Sequence, residues 1–122
     1  PISLGELVDK ISILIIKQKN ITDETKLDHV KKELDFLQKT LMNYVQQEEI
    51  NNYLENLINI NSKLWNIEDD IRECERKKLF DQTFIDLARS VYFTNDERAK
   101  VKNDINKTFG SELVEVKSYE EY

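Results

Sequence analysis

A chain of 122 residues with two glycines, one proline and 34% charged side chains is long enough for one modest core and too short for two. Its net charge of −6 and pI near 4.9 exclude binding a nucleic-acid backbone through bulk charge, because such binders present a basic face. The acidic excess is even, with 7 basic and 10 acidic groups in residues 1–60 and 11 and 14 in residues 61–122, so no polybasic membrane patch is expected.

The single cysteine, Cys74, rules out an internal disulfide and fits a reducing compartment, from which a cytoplasmic protein is expected. The near-apolar run Ile11 to Ile16 is far short of the ~20 residues of a membrane span, and the opening at Pro1 has no signal-peptide pattern. Few breakers and abundant Leu, Ile, Lys, Glu and Asn predict an all-α domain over residues 1–122.

Ser3 and Glu6 have capping-box spacing and open a predicted helix over 3–20. Leu4, Leu7, Val8, Ile11, Leu14 and Ile15 follow helical spacing, and Ile13 and Ile16 widen the stripe until it needs covering on more than one side. The same β-branched run also fits a buried strand. Thr22 or Asp23 caps a second helix, 23–45, whose seam runs through Leu27, Val30, Leu34, Leu37, Leu41 and Tyr44.

A third helix, 49–78, carries Ile50, Tyr53, Leu57, Ile60, Leu64, Ile67, Ile71 and Cys74, which makes Cys74 a buried seam residue. Its seam is two residues out of phase with the second, a shift no coiled coil absorbs, so the chain is expected to turn near Gln46 to Glu49 and form an antiparallel hairpin. Asp81 caps a fourth helix, 81–93. The box Thr94-Asn95-Asp96-Glu97 opens a fifth, 95–109, with Gly110 placed to end it. Residues 111–122 read as an extended tail whose Leu113, Val114 and Val116 can dock on a neighbour.

All four arginines, Arg72, Arg76, Arg89 and Arg98, fall between Trp65 and Arg98 with the only tryptophan. Trp65, Glu68, Asp69, Arg72, Glu75 and Arg76 form a second stripe on the third helix that something must cover. One reading is a salt-bridge network between helices, with Arg72 paired to Glu68 or to an acid on a neighbouring helix. On that reading Arg72→Ala costs roughly 1 to 4 kcal/mol.

A second reading is an anion site in which Lys10, Arg72, Arg89 or Arg98 grips a phosphate or carboxylate while Trp65 or Tyr92 stacks on a ring. A third pairs Glu6 and Asp9 with Glu68 or Asp69 and Glu73 around magnesium, an arrangement similar to that of all-helical nucleotide pyrophosphohydrolases. His29 falls off the seam and has no cysteine partner for zinc. No phosphate loop, nucleophile elbow or spaced Cys/His set is present, so no cofactor is expected.

Four stretches, Ser3–Leu14, Leu64–Arg72, Leu87–Arg98 and Gly110–Tyr119, resemble a family of short uncharacterised proteins of bacteria and their phages, a domain of unknown function. Bacterial members sit at times among genes for surface-polysaccharide assembly. The resemblance implies that Glu6, Asp9, Lys10, Trp65, Glu68, Asp69, Arg72, Arg89, Tyr92, Asn95, Asp96 and Arg98 recur as family motifs, and it supplies no catalytic residue.

The function expected is interaction or assembly without catalysis, as a homodimer joined through Ile11, Ile13, Ile15 and Ile16 and the neighbouring seams. The alternative is a small enzyme or binding protein for a phosphorylated or nucleotide-sugar ligand held at residues 65–98.

Overall fold

The computed structural model describes residues 2–110 and 113–114. Four helices dominate them: α1 (Leu4–Asn20), α2 (Glu24–Leu41), α3 (Gln47–Lys77) and α4 (Gln82–Phe109). The domain is therefore all-α. The only sheet among the described residues pairs β1 (Ile2–Ser3) antiparallel with β2 (Leu113–Val114), Ile2 opposite Val114, and so ties the segment before α1 to the one after α4. The rest of the expected tail, Val116 included, lies outside the described residues. No described helix is long and apolar enough to cross a membrane.

The helix starts follow their caps. Ser3 Oγ accepts the Glu6 amide at 3.2 Å, Asp23 accepts the Lys26 amide at 3.0 Å, and Asp81 accepts the Thr83 amide at 3.1 Å, each satisfying an amide that the first turn leaves unpaired. Glu6 does not close the capping box; its carboxylate pairs with Lys102 of α4 instead. The turn between α2 and α3 is Met42 to Gln46, four residues earlier than the seams predict at its start, and Val45 folds back into the core there. Lys78 ends α3 in the left-handed conformation, with φ of 55°.

α1 lies at the centre, packed against α2, α3 and α4, which explains its wide apolar surface. Leu7, Val8 and Ile11 are wholly buried, each contributing about 1.5 to 3 kcal/mol by leaving water. This corrects the expected dimer face. Ile11 and Ile16 are covered within one chain, at 0% and 4% exposure, because three helices from the same molecule already enclose α1. Ile13 and Ile15 are half-buried.

The long hairpin is α3 with α4, while α2 packs chiefly on α1, so the expected pairing of the second helix with the third gives way. The fourth and fifth predicted helices are one. A seam of Phe84, Leu87, Val91, Thr94, Arg98, Val101 and Ile105, stepping by three and four, runs unbroken along α4, and Thr94 is 1% exposed in mid-helix rather than a cap. Two polar residues at seam positions disguised that continuity. Cys74 is half-buried, not enclosed, since it stands in the last turn of α3 beside the exposed Glu75 to Lys78.

α1 meets α4 most closely at Gly5. A Cβ at that position would stand 2.5 Å from the Lys102 carbonyl oxygen, so only glycine lets the two backbones approach. The Gly5 amide donates to Asn106 Oδ1 at 2.8 Å and fixes the crossing.

Candidate functional site

Where α1, α3 and α4 meet, the core turns polar. Asp9 of α1 is 2% exposed, and a carboxylate so far from water must be paired and hydrogen-bonded. Arg98 of α4 supplies a fork: Nε donates to Oδ1 at 3.0 Å and to Oδ2 at 3.1 Å, and Nη2 donates to Oδ2 at 2.5 Å. Asn61 of α3 donates from Nδ2 to Asp9 Oδ1 at 2.9 Å and to Ser12 Oγ at 2.7 Å, while Ser12 donates to the Asp9 carbonyl at 2.6 Å.

Lys102 adds a second cation 3.9 Å from Oδ2. The Asp9 carboxylate holds the Arg98 guanidinium above its ordinary pKa despite partial burial, so that side chain stays charged. Three helices are joined by one network.

The remaining arginines do not converge on it. Arg72 and Arg76 are mostly exposed and pair within α3, with Asp69 and Glu73. Arg89 lies 5.8 Å over the Phe93 ring. Lys10 reaches Glu33 of α2 at 3.8 Å. The partner of Arg72 is thus Asp69 on its own helix, rather than Glu68 or a neighbouring helix, because its side chain points mostly into water. The magnesium candidates are likewise dispersed: Asp9 faces Arg98, Glu6 faces Lys102, and Asp69 faces Arg72. Among the described residues no three His, Cys, Asp or Glu side chains stand close enough to hold a metal.

Two of the six anion-site candidates do share a cavity. Trp65 and Arg98, with Glu68 and Asn61, border a space of about 240 Å³ closed on the α1 side by Ile13, Ile16 and Lys17 and floored by Leu64. Lys10, Arg72, Arg89 and Tyr92 are not part of its lining. Asn61, Ser12, Lys17 and Lys102 escaped sequence reasoning. Asn61 left one signal, a polar residue four after Leu57 and three before Leu64, where the seam also fits Ile60.

A second surface stands out at the end of the hairpin. Leu79, Phe80, Ile85, Tyr92 and Phe93 are 47 to 66% exposed, and two edge-to-face ring pairs, Phe80 with Phe84 and Tyr92 with Phe93, extend the apolar area.

An all-helical domain knit by one buried charge junction is the class these features define. The chain belongs to the family of unknown function DUF6165, whose model matches residues 1–122. No curated protein and no solved structure matches it.

Proposed function

We propose that this chain is an assembly protein without catalytic activity and that it docks a second copy of itself through the open end of the α3–α4 hairpin. The observation that carries this reading is the clustering of five large apolar side chains, each about half exposed or more, within residues 79–93. A two-helix hairpin end lacks the further layer that buries an apolar helix face, and a symmetric partner supplies it.

Charge favours a second copy as that layer. Residues 69–93 hold five basic and six acidic side chains in a chain of net charge −6, so this end approaches its own copy with little repulsion. Ile13 and Ile15, half-buried on α1, are the remaining members of the face expected from sequence and provide the competing surface.

Light scattering at micromolar concentration tests this. The wild type is expected at about twice 14.5 kDa. Tyr92→Glu with Phe93→Ser is expected to give a monomer with unchanged helicity. A monomeric wild type overturns the reading, as does a dimer that survives this double change and falls apart with Ile13→Ser and Ile15→Ser.

A further inference from the structure

The cavity beside the buried junction has hydrogen-bonding capacity that the fold does not use. Asn61 is 94% buried, given its 6% exposure, and its orientation is forced, since only its NH₂ group can face the Asp9 carboxylate. With Nδ2 committed to Asp9 and Ser12, Oδ1 is an acceptor with no hydrogen bond among the described residues. No enclosed side-chain nitrogen or oxygen among those residues lacks a partner, so Oδ1 borders open space, and the open space that Asn61 lines is this cavity.

Arg98 is in the same position. Nε and Nη2 face Asp9, which leaves Nη1 as a donor with no hydrogen bond among the described residues, on a side chain that belongs to the cavity lining. Lys17 and Glu68, also on the lining, have no ion-pair partner among the described residues. The lining residues therefore carry two acceptors without a hydrogen bond, Asn61 Oδ1 and the Glu68 carboxylate, and two such donors, Arg98 Nη1 and Lys17 Nζ. Between them lie Ile13, Ile16, Leu64 and Trp65.

That complement selects a ligand class. Lys17 and Glu68 balance one another, as Arg98 and Asp9 do, so a phosphate dianion would bring charge that nothing offsets. A pyranose would set several hydroxyls against isoleucine and leucine, each losing its water without a partner. The volume of about 240 Å³ lies below the usual range for drug-sized ligands and suits a small molecule.

We propose that the cavity binds a small zwitterion with an apolar side chain, that is, a free α-amino acid of the leucine type. Its ammonium donates to Asn61 Oδ1 and Glu68, its carboxylate accepts from Arg98 Nη1 and Lys17, and its side chain lies against Ile16, Leu64 and Trp65.

Trp65 is the only tryptophan, so its fluorescence reports on this cavity alone. The intact chain is titrated with L-leucine, leucinamide, N-acetyl-L-leucine, glucose and inorganic phosphate. L-leucine is expected to give a saturable change in emission. The amide and the N-acetyl derivative, each lacking one charge, are expected to bind at least about tenfold more weakly, the factor for one charge-assisted hydrogen bond.

Lys17→Met and Glu68→Gln lie on the cavity margin and remove no hydrogen bond of the Asp9 network, so each is expected to weaken leucine binding by a similar factor with little change in the melting temperature. Three results overturn the proposal: no saturable response to leucine, a stronger response to phosphate or glucose than to leucine, or leucine binding that both substitutions leave intact.

Discussion

The two halves of α4 share one seam and differ in what stands around it. From Arg98 to Phe109 the helix is pressed against α1 as well as α3, with Gly5 against the Lys102 carbonyl and Asp9 gripped by Arg98. From Gln82 to Phe93 the helix is shielded far less, and Ile85, Tyr92 and Phe93 face outward. The contrast explains why arginines from one sequence cluster play unlike parts. Arg98 meets a carboxylate that has lost its water, whereas Arg72 and Arg76 meet carboxylates still in water, where an ion pair contributes little. A residue's role here follows from how many helices surround it rather than from its neighbours in sequence.

The largest test of that contrast is Arg98→Ala. It leaves Asp9 buried with Asn61 as its closest donor, and the expected loss is about 3 to 5 kcal/mol, the range for stripping a buried pair of one partner. Urea denaturation followed by circular dichroism measures it. A loss below about 1 kcal/mol would mean that water or Lys102 replaces the guanidinium, and the junction would then not be the rigid point of the fold.

Gly5→Ala should come next. A methyl 2.5 Å from a backbone oxygen cannot be relieved by turning a side chain, so α1 and α4 must separate, at an expected cost of about 1 to 3 kcal/mol. The melting temperature checks this. A fall for Gly5→Ala and none for Ala88→Gly beyond the helix-propensity penalty would place the stability of α4 in its C-terminal half.

The sequence made the helices legible because their signals are local. Ser3, Asp23 and Asp81 cap where their spacing predicts, and the crowded apolar surface of α1 correctly called for covering on several sides. Pairing was not legible, since a seam says that a face is buried and not against what; α2 found α1 instead of α3. The break predicted at Thr94 failed because capping boxes and buried threonines share a residue type, and the deciding fact, Asp9 awaiting Arg98 one turn on, is tertiary.

The same limit hid the candidate cavity. Trp65, Glu68 and Arg98 were visible as chemistry-bearing residues, but Asn61 reads as one more asparagine in a polar helix until Asp9 is placed beside it. Arg72 drew more weight than Arg98 on sequence grounds because it shares a helical stripe with Trp65, and a stripe carries no measure of depth.

The smallest effect sharpens the comparison most. Arg72 has 62% of its side chain exposed and pairs with Asp69 three residues earlier on the same helix. Such a pair gains little over hydration and loses side-chain entropy, so Arg72→Ala is expected to change stability by no more than about 0.5 kcal/mol. That is below the loss expected if Arg72 were bound into a network between helices. Leucine binding by Arg72→Ala should equal that of the wild type, because the cavity lining does not include this side chain. Paired melts and fluorescence titrations of Arg72→Ala and Arg98→Ala decide the matter. If the two variants lose equal stability, depth of burial does not govern the arginines; a silent Arg72 beside a damaging Arg98 ties the difference to the buried carboxylate that only Arg98 meets.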